Sequence, residues 1–232
     1  MRVAEAVGLG LAKLGADTVF GVVGSGNFHV TNALIAGGAR FVAARHEGGA
    51  TVMADAWART TGRPGVVSVH QGPGLTNAMT GIAEAAKSRT PLLVLAAEAP
   101  EIRSNFHVDV AGLAAAVGAV SERIYSPASA LADVQRAYTT ALGRRTVILA
   151  LPLNVQAAPV VQHGEADPSR RGVPGGSGGV EPSRGQGQSS PLAYRAQAAP
   201  RTYPAGPASD AVTAIAAVLR GSDQPVFIAG RG

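Results

Sequence analysis

Between Val3 and Leu151, short apolar runs of strand length alternate with amphipathic stretches of helix length, and this alternation leaves few architectures open. Thr18 to Val23, Phe41 to Ala44, Val66 to His70, Pro91 to Ala96, Ala119 to Ile124 and Thr146 to Leu151 are the expected strands. Their near-continuous apolar character is that of strands covered on both faces. Helices are expected over Val3 to Leu14, through Asn32 and Ile35 up to Gly37-Gly38, and over Ala50 to Arg59, Leu75 to Lys87, Val110 to Val117 and Ala128 to Leu142. Strands joined through helices run parallel with right-handed crossovers. The expected fold is therefore α/β, a doubly wound, mostly parallel six-stranded sheet with helices on both faces.

The character of the chain changes after Gln156. From about Gly164 to Pro207 it is Gly, Pro, Ser, Gln and Arg, too poor in large apolar residues to offset the entropy of ordering. Residues 1–156 are thus expected to form one domain and 157–207 a disordered linker. A helix at Ser209 to Leu219 and a strand at Pro225 to Ala229 make 208–232 the expected start of a second α/β domain, with its remainder missing from this sequence.

Several function classes are excluded by composition. The formal charge of +5 is scattered and aromatics are only 4% of residues, so no nucleic-acid footprint is expected. No cysteine is present, which removes disulfides and thiolate metal sites and fits a cytoplasmic protein. The amino terminus, interrupted by Glu5 and Lys13, has the pattern of an amphipathic helix rather than a signal peptide, and no apolar run has membrane-spanning length.

Candidate chemistry lies at strand ends, where open α/β sheets bind ligands. Glu47 stands between the Phe41 strand and a helix with an apolar stripe of Ala50, Val52, Met53, Ala56 and Trp57, expected to be buried. A first-turn glutamate is often only a dipole-compensating residue. Gly48 and Gly49 follow it, however, and each weakens a helix by about 1 kcal/mol relative to alanine, so a close approach by a ligand ring or a partner subunit is expected there. Gly72-Pro73-Gly74-Leu75-Thr76-Asn77 opens a helix after the Val66 strand and offers backbone amides to a polar ligand. Gly21-Val22-Val23-Gly24-Ser25-Gly26 invites a dinucleotide-binding reading with Glu47 as the ribose-binding acid, but His29 stands where its third glycine belongs. The histidines His29, His46, His70, His107 and His163 have no metal-ligand spacing. His70, Gln71 and His107 follow strand ends and are the better placed.

Taken together and in order, five motifs carry a resemblance. They are Arg45-His46-Glu47 with Ala50, Gly62-Arg63-Pro64-Gly65-Val66, Gly72 to Asn77 with Gly81-Ile82-Ala83, Pro91-Leu92-Leu93-Val94, and Pro152-Leu153-Asn154-Val155-Gln156. Residues 1 to about 156 resemble the amino-terminal pyrimidine-binding domain of thiamine diphosphate enzymes of the acetolactate synthase type, and Pro225 to Gly232 resembles the first strand of that family's central domain. The resemblance implies that Glu47 is catalytic: it would hydrogen-bond N1′ of the aminopyrimidine and promote loss of the thiazolium C2 proton, after which the cofactor attacks a 2-keto acid. It implies that Val23, Gly24, Gly72, Pro73 and Asn77 line the cofactor with Glu47, and that His70, Gln71, Phe106 and His107 lie towards the substrate. Val23 stands where the family usually has proline, and His107 near where synthases carry glutamine.

The family binds diphosphate and Mg²⁺ through a carboxy-terminal Gly-Asp-Gly domain, which this sequence does not contain. Its active sites lie between subunits. The expectation is therefore a homodimer or higher homo-oligomer, or a pairing with a separate diphosphate-binding subunit, and a chain silent by itself. The competing reading is a non-catalytic or split-subunit interaction module of the same fold.

Overall fold

The computed structural model describes residues 1–160 and 209–221. It contains a six-stranded sheet in the order β2-β1-β3-β4-β6-β5, with every adjacent pair parallel. The strands are β1 Thr18–Gly21, β2 Arg40–Ala43, β3 Gly65–Val69, β4 Leu92–Glu98, β5 Val120–Arg123 and β6 Thr146–Pro152. The helices between them are α1 Val3–Leu14, α2 Phe28–Ala36, α3 Glu47–Thr61, α4 Pro73–Lys87, α5 Val110–Ala116 and α6 Ala130–Leu142.

Strand residues alternate between two separate cores, which makes the sheet doubly wound. Val19, Val66, Leu93, Leu95, Val147 and Leu149 pack with α1, α2 and α6. Phe20, Val67, Val69, Leu92, Val94 and Ile148 pack with α3, α4 and α5 on the opposite face. The central strands β3, β4 and β6 are buried throughout, which explains their unbroken apolar runs.

Three local expectations are corrected. β1 ends at Gly21 rather than Val23, because Asn27 Nδ2 donates to the Val22 carbonyl and draws the chain out of the ladder. On α3, Val52 and Met53 are 57% and 37% exposed, and Ala56 is exposed as well. The buried face is instead Ala50, Thr51, Ala54 and Ala58, because α3 meets α4 so closely that a Cβ on Gly81 would lie 2.8 Å from Thr51 Cβ. Small residues fit that contact and large ones are turned outward. A seventh helix, α7 Leu153–Ala157, was not anticipated; Gln156 Nε2 donates to the Leu151 carbonyl at 2.7 Å, and Val3 N donates to the Ala158 carbonyl.

Helix α8, Ser209–Arg220, belongs to a second unit and realises the helix expected at Ser209 to Leu219. The linker expectation beyond residue 160 and the Pro225 to Ala229 strand lie outside the described residues.

Candidate functional site

The sheet order creates a switch point between β1 and β3. The connection leaving β1 runs through α2 on one face, and that leaving β3 runs through α4 on the other, so their loops part and leave a crevice between the strand ends. The two walls are tied together beneath it. Asn27, wholly buried, donates from Nδ2 to Ser68 Oγ at 3.0 Å, and its Oδ1 accepts from Gly24 N at 2.8 Å. Thr31 Oγ1 lies 2.8 Å from Ser68 Oγ. Higher up, Gly26 N donates to His70 Nδ1 at 3.2 Å. The role of Asn27, Thr31 and Ser68 was missed from sequence; the one signal was a lone serine in the apolar strand Val66-Val67-Ser68-Val69.

Glu47 is the first residue of α3 and only 9% exposed. The chain reaches it through His46, whose extended backbone precedes the helix and whose Nδ1 accepts from Gly48 N. Asn77 Nδ2, from the second turn of α4, donates to Glu47 Oε2 at 3.0 Å. No such bond is made to Oε1, which lies 3.4 Å from where a Cβ on Gly74 would stand. The carboxylate is thus held at one oxygen and open at the other, over a glycine. Gly48 is explained within the chain: a Cβ there would come 3.2 Å from the Asn77 carbonyl, whereas Gly49 faces open space.

Gly72 adopts φ +63° and a Cβ on it would lie 2.6 Å from the Phe106 carbonyl, so the turn before α4 is pressed against the loop after β4. The Phe106 ring meets the His70 ring edge-on at 5.5 Å. Gln71 is buried and its Oε1 has no hydrogen-bond partner. The structure therefore brings Glu47, Asn77, Gly74, His70, Gln71, Gly72 and Phe106 to one place, with Gly24 against the His70 ring on the facing wall. Pro73 is exposed at the start of α4, and Val23 is 43% exposed in the loop after β1. His107 turns away, its Nδ1 3.2 Å from the Ala99 carbonyl, and lines a different cavity. The dinucleotide reading finds no support here, since the buried Asn27 side chain fills its loop and Glu47 is joined to α4 instead.

Burial lowers the His70 pKa from its ordinary 6.5, and the Glu47 charge opposes this only in part. The geometry agrees, because an Nδ1 that accepts from Gly26 must be unprotonated. The neutral form is favoured on folding, so His70 stabilises the fold fully above pH 6.5 and loses that contribution as pH falls towards its lowered value. Histidine NMR is expected to show the His70 ring titrating below 6.5 with the proton on Nε2 in the neutral form. A midpoint above 6.5 would mean that the Glu47 charge dominates.

This is a doubly wound α/β domain with a half-anchored carboxylate and glycine turns at its switch point, the place where open α/β sheets take their ligands. The chain belongs to the thiamine pyrophosphate enzymes, whose amino-terminal TPP-binding-domain model matches residues 1–123. It is 34% identical over 231 residues to a probable 2-ketoarginine decarboxylase of Pseudomonas aeruginosa, covering 96% of this chain and 36% of that protein. It is 34% identical over 154 residues to the acetolactate synthase isozyme 2 large subunit of Escherichia coli, covering 64% of this chain and 28% of that protein. It is 37% identical over 97 residues to a 2-hydroxyacyl-CoA lyase of Saccharomyces cerevisiae, covering 42% and 17%. The chain thus spans about a third or less of the relatives it matches. Its amino-terminal domain is of the acetolactate synthase-like type.

The residues present fit the cofactor of this family. Glu47 Oε1 is a free acceptor for a ring nitrogen's proton, and Gly74 keeps a side chain out of the space beside it. Among the described residues no helix is long and apolar enough to cross a membrane, and no group of three or more His, Asp or Glu could hold a metal ion.

Proposed function

We propose that residues 1–156 are the pyrimidine-binding, cofactor-activating part of a thiamine diphosphate-dependent 2-keto acid carboligase or decarboxylase of the acetolactate synthase type. The observation that carries this reading is the Glu47 carboxylate, nearly buried, fixed by Asn77 at Oε2 and free at Oε1. Relatives named as a decarboxylase, a synthase and a lyase support it.

Thiamine diphosphate supplies a thiazolium carbon that adds to a keto carbonyl. Glu47 holds a proton shared between its Oε1 and N1′ of the pyrimidine. Asn77 keeps the carboxylate from rotating away. Gly72 and Pro73 form the floor of the pyrimidine site, with Gly24 and Val23 on the facing wall. His70, Gln71 and Phe106 border the substrate side, with His107 beyond them. Diphosphate and Mg²⁺ are assigned to another domain, carried by a second copy of the protein or by a separate subunit. Val52 and Met53, exposed on α3 beside this site, are the surface offered to that partner.

The test uses the two halves of thiamine separately. In ¹H–¹⁵N spectra of the chain, 4-amino-5-hydroxymethyl-2-methylpyrimidine is expected to shift the Asn77 side-chain amide and the Gly74 backbone amide. The thiazole alcohol is expected to leave both in place. Shifts from the thiazole alone, or none from the pyrimidine at tens of millimolar, would overturn the reading.

A further inference from the structure

A second cavity, of about 220 Å³, opens at the carboxyl ends of β4, β5 and β6. That is more room than a single ordered water needs. Glu98, the last residue of β4, and Arg123, the last of β5, face each other across the end of β6, with Arg123 Nη1 donating to Glu98 Oε1 at 2.6 Å. Glu98 is only 9% exposed, and its Oε2 is buried with no partner at all. A buried carboxylate is costly unless its oxygens are satisfied, so half of this one is left waiting for a donor.

The remaining lining gives that donor a sign. Asp109 and Glu122 also line the cavity, so three carboxylates stand against the single guanidinium of Arg123. Arg136 offsets Glu122 from outside, donating to its Oε2 at 2.9 Å, and Asp109 caps α5 through Gly112 N. His107 also lines the cavity, held there by its Nδ1, which donates to the Ala99 carbonyl at 3.2 Å. With three carboxylates to one guanidinium the lining is acceptor-rich and negative, and Glu98 Oε2 has no hydrogen-bond donor.

We propose that this cavity binds the cationic end of a small molecule, an alkylguanidinium or alkylammonium group that donates to Glu98. The loop between β4 and α5 links it to the site above, since Phe106 packs on His70 and the adjoining His107 lines the cavity. Calling the ligand the side-chain end of the 2-keto acid rests on the proposed function; the site itself does not.

The experiment uses the whole chain and needs no thiamine compound. N-butylguanidinium is expected to shift the Val108, Ala111 and Ser121 backbone amides, and neutral N-butylurea, of the same shape, to shift none. Glu98→Gln is expected to weaken guanidinium binding about 10-fold, as loss of a charged acceptor should. Glu122→Gln, which gives up only a pair with the exposed Arg136, keeps the fold and is expected to weaken binding severalfold. Equal binding of the urea, or unchanged affinity in a folded Glu98→Gln or Glu122→Gln chain, would overturn the proposal. Because these amides differ from those reporting the pyrimidine fragment, failure here leaves the cofactor reading standing, and the reverse is also true.

Discussion

Glu47→Gln is expected to leave the fold intact and to slow exchange of the cofactor C2 proton by about 10²–10⁴-fold in the assembled enzyme, the usual range for a positioned proton-transfer group. Glutamine has the same shape and its amide oxygen can still accept from Asn77 Nδ2, so the contact between α3 and α4 survives. What disappears is the negative charge at Oε1 and with it the capacity to share a proton with a ring nitrogen. Exchange is read by quenching in acid after mixing with deuterated water and integrating the C2 resonance. A parental rate in the variant would remove Glu47 from the mechanism. Asn77→Ala offers a graded comparison: it keeps the charge but frees the carboxylate to rotate, so its loss should be smaller and should appear as a positioning defect.

The same residues show what a sequence can and cannot disclose. α1 was legible to its last residue because Val3, Val7 and Leu11 recur at helical spacing and Gly15 then takes a left-handed cap. The sheet was legible because parallel strands covered on both faces carry unbroken apolar runs, and so was the placement of Glu47 and Gly72 just beyond strand ends, where such runs stop. The burial of α3 was not. Its apolar pattern marks Val52, Met53 and Ala56 as inward, yet close packing of α3 on α4 selects for the smallest side chains, so the size of the neighbour outweighed hydrophobicity. The polar tie beneath the site was hidden for a different reason. Asn27 and Ser68 are 41 positions apart, and only the adjacency of β1 and β3 brings them together.

The other large effect is expected from the glycine of the turn before α4. Gly72 has φ +63° and ψ −109°, a conformation that a side chain tolerates only at a cost of about 1–3 kcal/mol. A Cβ there would also stand 2.6 Å from the Phe106 carbonyl and 3.0 Å from its Cα, both backbone atoms that no rotamer change can move. Forcing such a contact adds about 1–3 kcal/mol. Gly72→Ala is therefore expected to destabilise the domain by about 2–6 kcal/mol in urea unfolding, the two costs acting together. Gly62→Ala separates them. Its φ is +70°, but nothing lies within 4 Å of the added methyl, so it should cost only the conformational part, about 1–2 kcal/mol. If the two variants were equally destabilised, the contact between the α4 turn and the Phe106 loop would be looser than the structure draws it. If Gly72→Ala lost far more, as expected, the turn before α4 and the Phe106 loop are packed as tightly as the structure draws them, next to the His70 and Phe106 ring pair.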